Sequence, residues 1–303
     1  MLTSALLILA PLFLGFAFLV RHRHALTLIH RGVDALVYAI LALLGVSLGQ
    51  LEGLAQQLGQ MAAQVVMLVI ALLIANGLAL LLWHRWQPMA TAASEVAASV
   101  VSWRRLLLGA AKPLLAVLLG VLLGYQWLPA LPWVDDLATA ALMLLLLLIG
   151  MQLRNAGLSL RRLLMNRQGL GIALAVAGSS LLAGLLLAPW LGLGWHQAMA
   201  VSAGFGWYSL SGIVIGDALG PAWGGVAFIN DVMREIIALA LIPLVIGQRP
   251  AVAIGYGGAT AMDFTLPIIR NSGGLACVPV AIASGFLLSF LSPVVMAVLL
   301  GLG

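Results

Sequence analysis

Three charged residues, Asp231, Arg234 and Glu235, lie inside one apolar run from Ala222 to Ile246, and a further carboxylate, Asp263, follows in GGATAMDFTLP (Gly257 to Pro267). Asp231 and Glu235 are four residues apart, so a helix puts them on one face, with Arg234 three residues from Asp231. A carboxylate at membrane depth costs ~2.5–3.5 kcal/mol on insertion scales, which makes each of these a functional hypothesis by default. The plainer readings are a helix-internal Asp231–Arg234 pair that holds the fold, a protonated Glu235 packed as a neutral group, and Asp263 as a helix N-cap. All ionised, the four carry a net charge of −2. Burying that charge uncompensated is prohibitive, so protons or a cationic ligand must neutralise it. Carboxylates that protons or a cation can fill in turn are what a proton-coupled cation exchanger needs.

Around these charges stand groups able to orient a ligand: Tyr208, Ser209, Ser211, Asn230, Thr260 and Thr265. Each has a helix–helix hydrogen bond as its plainer role. Gly204, Gly206 and Gly212 flank Trp207, Tyr208, Ser209 and Ser211, so a helix there is weak and interrupted. Free N–H groups at interrupted helix ends can receive a carboxylate. Together these parts suit a zwitterion bearing one extra positive charge.

The chain that must position them is lipid-soluble. Of its 303 residues 63% are hydrophobic and 8% charged, with a mean hydropathy of +1.16. Soluble domains carry about 25% charged residues, so this composition describes an all-α polytopic membrane protein. The apolar run Leu2 to Val20 has its charges after it, at Arg21-His22-Arg23-His24, which fits a retained first span rather than a cleaved signal. One cysteine, Cys277, excludes an internal disulfide and a thiolate metal cluster. A net charge of +5 comes from arginines between spans and gives no nucleic-acid surface. No cofactor is indicated, and a homodimer is the expected assembly.

With about 20 apolar residues needed per crossing, spans fall at 2–20, 33–51, 61–83, 106–126, 136–153 and 169–190. Arginines gather in alternate loops: Arg21, Arg23 and Arg31, then Arg85, Arg104 and Arg105, then Arg154, Arg161, Arg162 and Arg167. The intervening loops hold Glu52, Asp135 and Asp136. The positive-inside rule makes the arginine loops cytoplasmic and the N-terminus external. Arg249 should also be cytoplasmic. That parity turns 196–218 and 250–272 into re-entrant hairpins from opposite sides, and 222–246 and 276–301 into spans. The result is eight spans with both termini outside.

An offset of 105 residues lays ALLGVSLGQ (Ala42 to Gln50) over LLIGMQLRN (Leu147 to Asn155), Gly45 over Gly150 and Gly15 over Gly120. A three-span unit repeated must be inverted, so 1–105 and 106–190 read as scaffold repeats and 196–303 as the substrate-site region. Inverted repeats with broken helices are the pattern of secondary transporters. Rival readings fare worse. An intramembrane serine protease wants GxSG, where SLSG (Ser209 to Gly212) stands; an aspartyl protease wants a Tyr-Asp pair, and none occurs. A passive cation channel would also use carboxylates near a midplane. Asn76 reads as a helix-packing residue, and Trp83, Trp86, Trp103, Trp127, Trp133, Trp190 and Trp195 as an interfacial belt.

The segments GFGWYSLSGIVI, FINDVMREIIALALIPL and GGATAMDFTLPIIRNSGGL, with GMQLRNAGLSL and LMNRQGLG, resemble the bacterial lysine exporter family. The resemblance implies export of L-lysine and toxic lysine analogues across the bacterial inner membrane, through eight spans with both ends outside. It places the family's two essential intramembrane acidic residues on Glu235 and Asp263. The sequence departs from the family pattern at Val232 and Met233, which hardly touch the chemistry. Lysine leaves as a cation against an inside-negative potential, at ~2.3 kcal/mol per charge per 100 mV, so inward protons are the expected driving partner.

Overall fold

The computed structural model describes residues 2–20, 22–51, 53–89, 103–126, 133–155 and 165–302. Arg21, Glu52, Arg161 and Arg162 of the loop-charge pattern, and Trp127 of the aromatic belt, lie outside them. Twelve α-helices and no strand occur among the described residues: α1 (Leu2–Ala17), α2 (Arg23–Gly49), α3 (Leu54–Trp86), α4 (Trp103–Gln126), α5 (Trp133–Asn155), α6 (Arg167–Leu191), α7 (Trp195–Val201), α8 (Tyr208–Leu219), α9 (Pro221–Val245), α10 (Pro250–Gly257), α11 (Leu266–Gly273) and α12 (Val278–Leu300). Four long helices are apolar enough by length and composition to cross a membrane: α2, α3, α6 and the helix ending at Leu300. Helix α9 has the length, at 25 residues, and differs by carrying Asp231, Arg234 and Glu235. The outward faces fit lipid: Val66, Ile70, Ile74 and Leu78 follow one side of α3 and are more than half exposed.

Helix α2 begins ten residues before the span expected at 33–51. Hydropathy measures the apolar stretch only, whereas His24, His30 and Arg31 belong to nearly three more turns of the same helix before it.

The scaffold closes on glycines. A Cβ on Gly15 would stand 2.0 Å from the carbonyl oxygen of Leu147, and one on Gly150 would stand 2.2 Å from that of Leu12. The same holds where α2 crosses α4: Gly45 meets the Val117 carbonyl at 2.2 Å and Gly120 meets that of Ala42 at 2.1 Å. The 105-residue offset exchanges these two crossings, α1 on α5 and α4 on α2. Without a hydrophobic drive between helices in lipid, such close backbone approach supplies the association. Gly120→Leu should therefore wedge α2 from α4 at a cost of about 1–3 kcal/mol or more. A clear drop in the thermal unfolding temperature in detergent is the expected result; an unchanged one would contradict the crossing.

Both segments expected to re-enter are broken helices. The first is α7, a 3-10 turn (Ser202–Gly204), a break at Phe205 to Trp207, and α8; the second is α10, a 3-10 turn (Gly258–Met262), a break, and α11. Their halves hold 7 and 12, then 8 and 8 residues. At 1.5 Å per residue none spans the ~30 Å of hydrocarbon. Helix α3 fixes their sense. Its start meets α9's start, Met61 against Gly225, and its end meets α10 through Leu80 and Gly255. It runs against α6, with Trp83 over Gly171 and Asn76 accepting from Ser179 and Ser180. Helix α7 doubles back along α6, Ala198 and Ser202 against Gly184, while α8 doubles back along α9, Gly212 and Gly216 against Gly224. At the other end of α9, Ile246 touches Gly273, the last residue of α11. The two hairpins thus enter from opposite ends of the bundle. Their tips meet where the Ala259 amide donates to the Phe205 carbonyl at 2.9 Å.

Candidate functional site

Breaking a helix in a dry interior frees backbone groups that must find partners. The charges near the middle of α9 supply them. Asp231, 2% exposed, accepts from the Gly206 amide at 3.0 Å and from Ser211 Oγ at 2.6 Å, both at the start of α8. Arg234, 5% exposed, donates Nε to the Tyr256 carbonyl and Nη2 to the Gly255 carbonyl, each at 3.1 Å. Its guanidinium also lies 5.2 Å from the centre of the Tyr256 ring. The carboxylate therefore sits at the N-terminal, partly positive end of one half-helix and the guanidinium at the C-terminal, partly negative end of another. The helix-internal pair expected for Asp231 and Arg234 does not form. Each charge instead clamps one hairpin tip, because freed amides and carbonyls at hydrogen-bond distance satisfy it more fully than a neighbour on its own helix. Gly204 is required beside the clamp, since a Cβ there would fall 1.8 Å from Asp231 Oδ2.

One helical position on, Glu235 turns away from the clamp into a cavity of about 240 Å³ between α2, α5, α8, α9 and the second break. Asp263 lines the same cavity, with Tyr208, Ser209 and Thr260. Glu235 is 3% exposed, and its Oε2 is buried with no hydrogen-bond partner in the protein. Asp263 lies before α11 and its Oδ1 accepts from the Phe264 amide. It is not an N-cap: Thr265 holds that place, and the main-chain carbonyl of Asp263 accepts from the Leu266 amide.

The other candidates serve the frame. Ser211 is spent on Asp231. Thr265 is fully buried and donates to the Thr260 carbonyl at 3.1 Å, closing the second break. Thr260 lines the cavity while its hydroxyl donates to the Gly257 carbonyl at 2.8 Å. Asn230 is buried away from the cavity lining. The structure thus brings Tyr208, Ser209, Glu235, Thr260 and Asp263 to the cavity, and separates Asp231, Arg234, Asn230, Ser211 and Thr265 from it.

Asp34 and Tyr38 of α2 and Gln152 of α5 also line the cavity, and sequence reasoning passed over them. The available signal was a carboxylate within the first turn of the predicted span 33–51, one helical turn before a tyrosine. No arginine or lysine is among the described lining residues, and three carboxylates share the space. They do not converge: among the described residues no group of three acidic, histidine or cysteine side chains is close enough to hold a metal ion. Spread carboxylates suit an extended organic cation with more than one positive group.

Helices of membrane-spanning length and two opposed broken segments, meeting beside an acidic cavity, define a polytopic all-α membrane protein with a polar site among its helices. The family model described as "Lysine exporter LysO" matches residues 114–300. The chain is 38% identical to "Lysine exporter LysO" of Escherichia coli over 303 residues, covering 98% of this chain and 99% of that one. A "Putative lysine exporter" of Haemophilus influenzae is 42% identical over 181 residues, 60% of this chain and 93% of its own. No solved structure matches. The chain belongs to the lysine exporter LysO family.

Proposed function

We propose that this protein exports L-lysine, and toxic analogues of the same charge pattern, across the bacterial inner membrane in exchange for protons. The observation that carries the reading is Glu235: a buried carboxyl with an unpartnered oxygen, facing a cavity shared with Asp263 and Asp34 and with no lysine or arginine among its described lining residues. Such a group needs either a proton or a cation. The names of the two relatives favour lysine as that cation.

Lysine carries two ammonium groups and one carboxylate. In this scheme Glu235 and Asp263 hold the ammonium groups, and the first amides of α8, at Tyr208 and Ser209, receive the carboxylate. Asp34 is exposed at the cavity mouth, on the helix end that carries Arg31, and Gln152 lies two residues from Arg154. By the positive-inside rule that end is cytoplasmic, both termini are periplasmic, and the conformation described here faces the cytoplasm. Units 1–105 and 106–190 are the inverted scaffold; 196–303 carries Glu235 and Asp263, and Asp34 and Gln152 of the scaffold complete the cavity. After the switch to the outside, external protons displace lysine and the protonated site returns. Protease chemistry has no support in this geometry, where Ser211 is bound to Asp231.

Binding of labelled lysine to the purified protein tests the shared site. Where one proton competes with one lysine, the apparent Kd rises about tenfold per pH unit on the acid side. An affinity flat from roughly pH 5 to 8 would remove the competition on which the exchange depends. Asp34→Asn should raise the KM for lysine several-fold, about 1 kcal/mol, with little change in maximal rate. A fall in maximal rate alone would place Asp34 outside the binding step.

A further inference from the structure

A second cavity, of about 200 Å³, opens beside α2, α5 and α8 at the opposite end of the bundle from Asp34. It is lined by Ser47, Thr139 and Asp217 together with apolar side chains, and Thr139 Oγ1 donates to Asp217 Oδ1 at 3.2 Å. Three helices connect it to the acidic cavity, each by a single stripe. On α2, Val33 and Val37 line the acidic cavity and Ile40, Leu44 and Ser47 the second one, at spacings of four and three residues. On α8, Ser209 lines the first and Ile213 and Gly216 the second. On α5, Ile149 and Gln152 face the first and Ala138 the second, eleven residues before Ile149 and so three turns down the same face, with Thr139 beside it. Residues that recur at such spacings lie on one helix face. The two cavities therefore belong to one seam, polar at both ends.

Its middle is apolar and closed. Ile40, Leu145 and Leu210 are fully buried, Leu142 is 1% exposed and Ile213 5%. An ammonium group cannot cross that layer without losing its solvation. Helix α8 is bounded by a glycine break at each end, Gly206 at φ +94° and Gly220 at φ +93°. It packs on α9 through Gly212 and Gly216 against Gly224, and Asp231 ties its start to α9.

Resting on the lysine-export reading, we propose that the second cavity is the release half of the pathway, where Asp217, with Thr139 and Ser47, takes the departing ammonium of lysine. The layer of Ile40, Leu142, Leu145, Leu210 and Ile213 is the closed gate between the binding site and this vestibule. Movement of α8 away from α2 joins the two spaces and separates lysine from Glu235. Asp34 and Asp217 are then the carboxylates at the two mouths of one route.

The test uses the full chain in vesicles, with Cys277→Ala to remove the single cysteine, and Ser47→Cys added as the target. The probe is a trimethylammonium-ethyl thiosulfonate, which is about as wide as the vestibule's cargo and carries a positive charge. Modification should lower proton-driven lysine flux at least tenfold, while lysine binding to the acidic cavity in detergent stays within about twofold. Asp217→Asn, on the exposed end of α8, should lower maximal flux several-fold with the same binding constant, and Thr139→Val should do much less. A cysteine at 47 that the reagent never reaches, or one fully modified with flux unchanged, overturns the vestibule. Failure of the export reading is seen separately, as absent lysine binding in the unmodified Cys277→Ala protein.

Discussion

Glu235→Gln and Asp263→Asn are each expected to lower proton-driven lysine export by at least about a hundredfold, equivalent to some 2.7 kcal/mol or more of lost coupling. The substitutions keep size and hydrogen-bonding atoms and remove the ability to exchange a proton for an ammonium. Glu235 is well suited to this test, because its Oε2 supports no other part of the fold. Asp263 accepts from the adjacent Phe264 amide, a local contact. Both variants should therefore fold and elute as the parent does. Measurement of labelled lysine flux in vesicles decides between roles. Flux retained in one variant would demote that carboxylate to a packing group, and flux retained in both would remove the site.

Arg234→Met is expected to do the opposite: to destroy the fold rather than the chemistry. The methionine is apolar and of similar length, so packing is roughly kept. What is lost are two hydrogen bonds: the Gly255 carbonyl keeps only the Gly258 amide, and the Tyr256 carbonyl loses its side-chain donor in a dry interior. The Asp231 charge is also left without a nearby cation. Losing two charge-assisted hydrogen bonds at about 1.5–3 kcal/mol each removes about 3–6 kcal/mol, a large part of a protein's total stability. Loss of the folded protein on extraction in mild detergent, with Asp231→Asn much milder, is the expected pattern. Asn keeps an acceptor for the Gly206 amide, so its stability measures the clamp without the charge. An Arg234→Met protein with unchanged unfolding temperature and normal flux would show that the clamp does not hold the hairpin tip.

Much of this architecture was legible because lipid leaves so few options. The apolar runs had to be helices, and Gly204 and Gly206 among hydroxyls marked where the first hairpin had to break, whereas Gly212, expected to interrupt it too, lies inside α8. Glu235 and Asp263 stood out as carboxylates in apolar surroundings, and the structure puts both on one cavity. The partner of Asp231 was not legible, since spacing along a helix offers only same-helix candidates. The amide of Gly206 becomes available only after the hairpin folds back 25 residues away in sequence. For the same reason Arg234 looked like the partner of Asp231 and instead serves two carbonyls of the second hairpin. Asp34 escaped notice because its charge sits at a helix end, where hydropathy tolerates it, and only the packing of α2 against α8 brings it to the site.

Proton-coupled accumulation is the central claim, and one measurement reaches it directly. Vesicles containing the protein start with equal lysine on both sides, and a proton gradient is imposed with the membrane potential clamped. The account predicts net lysine movement opposite to the protons until a lysine gradient stands, and its collapse when a protonophore is added. Lysine that stays at equal concentration under the gradient, yet runs freely down its own gradient when one is supplied, would contradict the exchanger and describe a channel.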